Sequence, residues 1–316
     1  MAKVIFKRLL QAIPTLLVVV TITFILTRMI PGDPITAMVG EQADPAVIEE
    51  IRQKLGLNDS YLVQYVRYLK DILKGDFGRS YYYNVPTLDV IADRLPNTLI
   101  LALMSSLIAI VVGVMLGVIS SIKQYSLWDY LFTFLSLLGI SLPVFWLGLM
   151  LVLVFSVNLG WLPTLGMGSL ENGLWDYISH IILPCTCLAL IPMASFARTT
   201  RASMIETFNN DSIRALRARG ISEKSVVLKH ALKNALPPIV TVIGMRIAGI
   251  FAGAVLTENI FAWPGMGTMI SNAIENRDYT LIQAAVLIVA ISFVGINLLV
   301  DIIYMIINPK VALDGK

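Results

Sequence analysis

The chain has 316 residues, of which 57% are hydrophobic and only 14% are charged, and its formal net charge is +3. Because soluble domains carry about a quarter charged residues, this composition argues against an ordinary soluble protein. The basic residues lie mainly in short loops, with no recognised nucleic-acid-binding module around them, so nucleic acid is not expected as a partner.

Six apolar runs each reach the ~20 residues that a helix needs to cross the hydrocarbon layer of a membrane. They lie at roughly Leu9–Thr27, Leu95–Ile122, Tyr130–Val157, Tyr177–Ala197, Ala235–Thr257 and Tyr279–Val300. Strands of a membrane barrel would alternate and be only about ten residues long. The first run is too long for a signal peptide and no small-residue cleavage site follows it, so it is expected to remain. The sequence predicts an all-α, polytopic membrane protein with six transmembrane helices.

Lysine and arginine in the short loops predict the orientation of these helices. Basic residues occur near the N-terminus and after the fourth run, at Lys3, Lys7, Arg8, Arg198, Arg201, Arg214, Arg217, Arg219, Lys224, Lys229 and Lys233. By contrast, residues 158–176 contain none, and residues 258–278 contain only Arg277. Both termini are therefore predicted to be cytoplasmic, with the long loop after the first helix outside.

The long loop, residues 31–94, is predicted to contain a helical hairpin. Asp44-Pro45 is a suitable N-cap and first helical residue, and Gly56 can end that helix. A second apolar stripe at helical spacing precedes Gly75. The stripes consist of Val47, Ile48, Ile51 and Leu55, and of Leu62, Tyr65, Val66, Leu69, Ile72 and Leu73. The hairpin could pack as a cap on the spans, meet an external partner or gate an entrance.

Between the fourth and fifth runs the chain reads DSIRALRARGISEKSVVLKHALKNALPP from Asp211 to Pro238. Asp211 can cap a short helix from about Ser212 to Arg219, and Gly220 can end it in the left-handed conformation. Ser222 can cap a second helix that is predicted to stop at Pro237-Pro238. This punctuation favours a rigid docking element over a basic loop that only rests on lipid headgroups.

Residues within the spans indicate a pathway or an interface between subunits. Pro143, in a segment that also contains Trp146, and the pair Pro184 and Pro192 predict bent helices near a pathway. Arg246 must face protein or water, because its exposure to lipid is costly. It could line the pathway or pair with Glu258, Asp301 or a partner permease. Cys185 and Cys187 are expected to be small buried side chains rather than a disulfide or metal site.

With these motifs in order, the chain resembles permease subunits of binding-protein-dependent ABC importers of the type I fold. More narrowly, it is similar to the first ("B") permease of dipeptide and oligopeptide systems. The motifs that carry the resemblance are Pro31-Gly32-Asp33-Pro34, Leu55-Gly56-Leu57, Gly75-Asp76-Phe77-Gly78, Arg94-Leu95-Pro96-Asn97-Thr98-Leu99, Leu159-Gly160-Trp161-Leu162-Pro163, Ala197-Arg198-Thr199-Thr200-Arg201, His230-Ala231-Leu232-Lys233-Asn234-Ala235 and Phe261-Ala262-Trp263-Pro264-Gly265. The family's "EAA" loop corresponds here to Arg214-Ala215-Leu216-x-x-x-Gly220, with Leu216 enlarging the docking face.

The resemblance implies that the loop docks on a cytoplasmic ATPase subunit. The apolar anchor would be Ile213, Ala215 and Leu216, and the rim would be Arg214, Arg217 and Arg219, with Gly220 ending the helix. The chain has no phosphate-binding G-x-x-x-x-G-K-[ST] sequence, so it is expected to bind no cofactor and not to be an enzyme. ATP and Mg²⁺ would be bound by two separate subunits.

The expected partners are a second homologous permease that forms a heterodimer, the two ATP-binding subunits, an external substrate-binding lipoprotein or periplasmic protein, and the bilayer of the bacterial inner membrane. The expected divisions are residues 1–30 as the N-terminal transmembrane helix, 31–94 as the external helical loop, 95–307 as the type I transmembrane domain with the coupling loop at 201–236, and 308–316 as a cytoplasmic tail.

The expected substrates are dipeptides and oligopeptides, with nickel, a metal chelate or glutathione as alternatives that use the same machinery. An ion-driven secondary transporter is a rival class, but paired ionisable groups at the midplane and inverted repeats are not apparent. An intramembrane serine protease would need Ser141 and His180 in contact. Their predicted depths differ by ~10 Å, which is too far for a hydrogen bond.

Overall fold

The computed structural model describes residues 2–30, 33–39 and 43–307, and regular structure within these ranges is helical. The α-helices are α1 (Ala2–Met29), α2 (Pro34–Val39), α3 (Pro45–Lys54), α4 (Tyr61–Leu73), α5 (Thr87–Ile122), α6 (Leu127–Ser141), α7 (Val144–Leu151), α8 (Leu174–Phe208), α9 (Asp211–Ala218), α10 (Glu223–Ser225), α11 (Leu232–Phe261), α12 (Met266–Glu275) and α13 (Tyr279–Ile307). Short π-helical segments cover Val152–Asn158 and Val226–Ala231. The all-α prediction is confirmed, while Pro31-Gly32 and the predicted tail 308–316 lie outside the described residues.

Five long apolar helical segments match five of the six predicted spans. They are Phe6–Met29, Thr87–Ile122, Leu174–Phe208, Glu223–Phe261 and Tyr279–Ile303. The helices that contain the second, fourth and fifth spans have 35 residues or more. Since a helix rises about 1.5 Å per residue, they are much longer than a ~30 Å hydrocarbon layer.

The third predicted span is bent, which corrects the prediction of one helix over Tyr130–Val157. The helices on either side of Pro143 meet at 112°. Proline has no N–H to donate to the carbonyl four residues earlier. It also drives Leu142 into an extended conformation, with φ −88° and ψ 136°, as expected for the residue before a proline. This segment forms a sixth span only if its two halves are counted together.

The sequence prediction that Pro237-Pro238 ends a helix is wrong. Both prolines lie inside α11, and the helical segment continues from Glu223 to Phe261. The carbonyls that lose their donors belong to Lys233 and Asn234, both exposed residues near the start of α11. Ending the helix here would leave more backbone N–H and C=O groups without hydrogen-bond partners. Helices at membranes tolerate proline where other groups or water donate hydrogen bonds to the freed carbonyls.

The described chain divides into two compact units. The first consists mainly of Thr98–Trp263, in which α8 packs against α6, α7 and α11. Ala109, Ala189 and Phe196 form part of its core. A Cβ atom at Gly117 would lie 2.5 Å from the carbonyl oxygen of Ala197, so only glycine allows α5 and α8 to approach this closely.

The second unit comprises Phe6–Asn97 and Pro264–Val294. Its core joins the start of α5 to α12 and α13, through buried residues such as Ile91, Met266 and Leu281. Asp278 precedes α13, and its carboxylate accepts hydrogen bonds from the hydroxyl of Ser80 and from the backbone N–H of Leu281. The loop before α5 is therefore attached to the N-terminus of α13.

The predicted hairpin is present in the second unit as α3 and α4. The side chain of Asp44 accepts a hydrogen bond of 2.9 Å from the N–H of Ala46, as its predicted capping role requires. Gly56 and Gly75 follow the two helices with φ of +63° and +77°. Both helix ends are thus confirmed, and the positive φ values explain why glycine stands at these positions.

Candidate functional site

The basic segment after α8 folds as the predicted helix–turn–helix. Its first helix, α9, is preceded by Asn210 in the N-cap position and followed by Gly220 with φ +76°. Asp211 therefore lies in the first turn, one residue later than predicted. Ser222 precedes α10, which passes through the second π-helical segment into α11. α10 is thus joined to the long apolar helix α11 without a break in helical structure.

Ile213 attaches α9 to the rest of its own chain. Its side chain is fully buried and packs in a cluster with Met204, Val226 and Ala231. Leu216 is half-buried against the same cluster. An isoleucine with no exposed surface cannot supply contact area to another protein. The expectation that Ile213 is an apolar docking anchor is therefore replaced by a structural role.

Arg217 is also held within the chain. Its guanidinium donates two hydrogen bonds to Glu223, at 3.1 and 2.6 Å, and lies 5.4 Å from the ring centroid of Phe208. The hydrogen bonds with Glu223 raise the pKa of Arg217. Because α8, α9 and α10 each contribute one of these residues, Arg217 links the three helices at the exposed edge of α9.

The remaining residues of α9 form an outward face. Ser212, Ala215 and Arg219 are exposed and lie three and four residues apart, so they share one side of the helix. Arg214 is exposed beside them and is 3.7 Å from Asp211, a pair open to solvent on both sides. Such an ion pair contributes little stability. This face therefore has a small apolar centre and two arginines that are available to a partner.

An ion pair between the buried carboxylate of Asp129 and the partly exposed Arg201 lies among α5, α6 and α8. Arg201 donates hydrogen bonds of 2.6 and 2.7 Å to the two carboxylate oxygens of Asp129. The same carboxylate accepts from the hydroxyl of Ser120 and, at 2.9 Å, from the N–H of Tyr125. These bonds tie the end of α5 and the start of α6 to α8, the helix that leads into α9.

Sequence reasoning missed this ion pair because Arg201 was interpreted only as a loop residue. The available signal was Asp129, an isolated acidic residue at the start of an apolar run, which would be costly there without a cation. A cavity of about 120 Å³ lies beside the pair. Its lining includes Leu116, Ser120, Phe132, Leu137, Arg198 and Arg201.

The residues predicted to line a pathway or a permease interface are spread over two helices. Pro143 precedes α7, and Trp146, near the start of that helix, is exposed. Arg246 is exposed on α11. Glu258 is fully buried on the same helix, where it accepts a hydrogen bond of 2.5 Å from Thr98. Arg246 and Glu258 are twelve residues apart in α11, or about 18 Å, so they cannot pair within the chain.

Two other groups of residues considered from sequence have ordinary structural roles. The hydroxyl of Ser141 donates to the carbonyl of Leu137, and Nδ1 of His180 lies 2.8 Å from the carbonyl oxygen of Asp176. Cys185 and Cys187 are buried, as predicted. Among the residues that the structure describes, no group of three His, Cys, Asp or Glu side chains could hold a metal ion.

The long apolar helices define a polytopic membrane protein. Family models place it more narrowly. The model described as "Binding-protein-dependent transport system inner membrane component" matches residues 109–313, and the corresponding N-terminal model matches residues 1–102. The chain belongs to this family of inner membrane transport components.

Curated relatives match the chain over nearly its full length. It is 42% identical to the dipeptide transport system permease protein DppB of Alkalihalophilus pseudofirmus, covering 96% of this chain and 98% of the relative. It is 41% identical to the oligopeptide permease AppB of Bacillus subtilis and 40% identical to the glutathione permease GsiC of Escherichia coli K12, each covering 98% of this chain and 99% of the relative. The predicted resemblance to this group of permeases is confirmed.

A solved structure of the MetNI methionine ABC transporter supports the fold. The match has a TM-score of 0.56 at 17% identity and covers 70% of this chain and 97% of the other chain. At this identity the match informs on the fold alone. It confirms the predicted permease fold of ABC transporters.

Proposed function

We propose that α9 is the element by which an ATP-hydrolysing subunit drives this permease. The observation that carries the proposal is the division of α9 into two faces. Ile213 and Arg217 hold the helix to its own chain, while Ala215, Arg214 and Arg219 face outward. A helix must be fixed on one side and free on the other to receive a displacement and pass it on.

The connection to α11 supports a mechanical role. α10, the π-helical segment and α11 run as one helical stretch to Phe261. A displacement of α9 would reach this stretch through the turn at residues 219–222 and through the packing of Ile213 against Val226 and Ala231. The ion pair of Asp129 and Arg201 holds α8 against α5 and α6 at the same time. A rotation of α9 would then move α5, α6, α8 and α11 together. This movement would change the side of the membrane to which the translocation pathway opens.

Separate subunits would supply the nucleotide chemistry. The sequence contains no G-x-x-x-x-G-K-[ST] phosphate loop. We infer that two cytoplasmic subunits bind ATP and Mg²⁺. A second, homologous permease would complete the pathway, and an external binding protein, either a lipoprotein or a periplasmic protein, would deliver the substrate.

The distribution of basic residues supports a location in the bacterial inner membrane with both termini in the cytoplasm. The proposed divisions are then a first span at 1–30, an external helical loop at 31–94, a transmembrane domain at 95–307 with its coupling segment at 201–236, and a tail at 308–316. Pro143, Trp146 and Arg246 are proposed to line the pathway or contact the second permease. Glu258 instead has its carboxylate buried against Thr98, which favours an internal role.

Charge reversal on the outward face tests the docking proposal. In proteoliposomes that contain the whole transporter, Arg214→Glu and Arg219→Glu together are expected to reduce uptake and the number of substrate molecules carried per ATP. Lys123→Glu is the control, because Lys123 is an exposed basic residue outside the coupling segment 201–236. Uptake and coupling that remain normal in the double variant would contradict docking through this face.

Dipeptides and short peptides are the proposed substrates, because the relatives with 42% and 41% identity are named as dipeptide and oligopeptide permeases. Glutathione is the second candidate, since GsiC is 40% identical. The test is which ligand, on its binding protein, stimulates ATP hydrolysis by the reconstituted complex. A dipeptide should do so more strongly than glutathione or a nickel chelate. Uptake that needs a proton gradient and no ATPase subunit would instead favour a secondary transporter.

A further inference from the structure

The helix α4 carries an apolar stripe that its own chain does not cover. Leu62, Val66 and Leu73 lie on one side of the helix, with exposed fractions of 73%, 42% and 87%. Its other residues include the exposed basic side chains Arg67 and Lys70. An amphipathic helix of 13 residues, about 20 Å long, is therefore attached to the unit with its apolar side open.

Contacts with α1 fix the depth of α4 relative to a membrane span. The hydroxyls of Tyr65 and Thr21 are 2.6 Å apart, and the ring of Tyr65 packs edge-on against Phe24 at 5.2 Å. Beyond them, Arg28 donates hydrogen bonds of 3.1 and 2.9 Å to the side chain of Gln64. Thr21 lies eight residues before the end of the span at Met29, and Phe24 lies five, or about 12 and 8 Å along the helix. The middle of α4 is thus held beside the last two turns of a membrane-spanning helix.

The surface of α1 at this level is itself apolar and open. Ile22, Ile25 and Leu26 are each more than half exposed within a span that crosses the hydrocarbon layer. Both α1 at this level and the stripe on α4 thus present exposed apolar side chains. A helix that lies in a membrane interface places its apolar side about 5–10 Å into the boundary between headgroups and acyl chains, which matches the depth given by Phe24 and Thr21.

We propose that α4 is an interfacial helix whose Leu62, Val66 and Leu73 side contacts the acyl chains of the leaflet at the Met29 end of α1. Lys70 and Lys74 have long side chains that can place their charges among the lipid headgroups while their stems remain in apolar surroundings, whereas Arg67 is paired with Asp59 of the same hairpin. The hairpin then forms part of the boundary with the lipid, and its apolar side is not a docking surface for a soluble protein.

Spin labels on α4 test this proposal in the complete transporter, reconstituted in nanodiscs of phosphatidylcholine and phosphatidylglycerol. A nitroxide is placed on single cysteines at Leu62, Val66 or Leu73, with a control at the exposed Asn58 in the preceding loop. The native Cys185 and Cys187 are buried, so labelling can be directed to the new positions. Accessibility is measured to molecular oxygen, which partitions into lipid, and to a water-soluble nickel chelate.

At the three stripe positions, the ratio of oxygen to nickel accessibility should be several-fold higher than at Asn58. Equal access of the nickel chelate to the stripe and to Asn58 would overturn the proposal, because the stripe would then face water. Exclusion of both reagents, whether permanent or only after the binding protein is added, would show that a protein covers it and would also overturn the proposal. Leu62 and Leu73 lie at opposite ends of α4, so either label alone gives a result.

Discussion

Truncation of Ile213 separates the structural role of this side chain from a docking role. Ile213→Ala removes three carbon atoms from a side chain with no exposed surface that packs against Met204, Val226 and Ala231. Substitutions of this kind cost about 2–5 kcal/mol. Half-buried Leu216 and Phe208 line the same cluster and can partly close the space, so we expect a value near the lower end, about 2–3 kcal/mol.

The loss of stability caused by Ile213→Ala should appear as more frequent local unfolding of α9. Hydrogen exchange of the α9 amides, measured by mass spectrometry on the permease pair without its ATPase subunits, should accelerate by about 30- to 150-fold, because each 1.4 kcal/mol corresponds to tenfold. Ile213→Val should give a smaller increase, equivalent to about 1 kcal/mol. The exposed Ser212→Ala is the control and should leave the exchange of residues 213–218 close to wild type.

One outcome for Ile213→Ala would show that this residue contacts the ATPase subunits. If Ile213→Ala left the exchange of α9 unchanged in the free permease but abolished binding of the ATPase subunits, Ile213 would be a docking anchor after all. Its burial within the chain would then not describe the state that meets the partner.

Two further substitutions test the elements around α9. Asp129→Asn removes the charge that Arg201 binds and should destabilise the permease by about 1–2 kcal/mol, measured as thermal unfolding in detergent, because charge-assisted hydrogen bonds are lost while the partly exposed guanidinium can still be solvated. An additional Arg201→Met substitution should restore part of that stability, and strict additivity of the two losses would argue against a direct pair. Gly220→Ala should weaken the end of α9 by about 1 kcal/mol, since a left-handed φ is costly for a residue with a Cβ. A Cβ at this position would meet no atom within 4 Å, so exchange of the α9 amides in Gly220→Ala that matched wild type would contradict a backbone cost.

Local chemistry made much of the fold predictable. The apolar runs gave the spans, because a helix must satisfy its own backbone in lipid and a length of about 20 residues is required. Gly56, Gly75 and Gly220 were predicted to end helices, and each has a positive φ. These features depend on residues close in sequence, which is why one sequence was enough to find them.

The wrong predictions concern helices that contain proline, at Pro143 and at Pro237. The same residue type bends one helix sharply at Pro143 and continues another at Pro237. A helix can continue through a proline where the carbonyls that lose their N–H donor find other hydrogen-bond partners. The residues next to a proline in sequence do not reveal whether such partners are present.

The candidate docking helix shows the same limit at the level of single residues. Its position and ends were predicted, but the roles of Ile213 and Arg217 were not. Their partners include Val226 in the following π-helical segment and Phe208 at the end of α8. Helical spacing groups residues onto faces. It does not tell which face meets the chain itself and which is left for a partner.

Cross-linking from Ala215, the centre of the outward face of α9, shows whether an ATP-binding subunit docks on this helix. A single cysteine at this position, labelled with benzophenone maleimide and irradiated in the purified complex, should yield a covalent adduct between this chain and an ATP-binding subunit, because the excited benzophenone inserts into nearby C–H bonds. A cysteine at the buried Ile213 should yield none. Absence of the adduct from position 215, with the ATP-binding subunits present and active, would contradict the account.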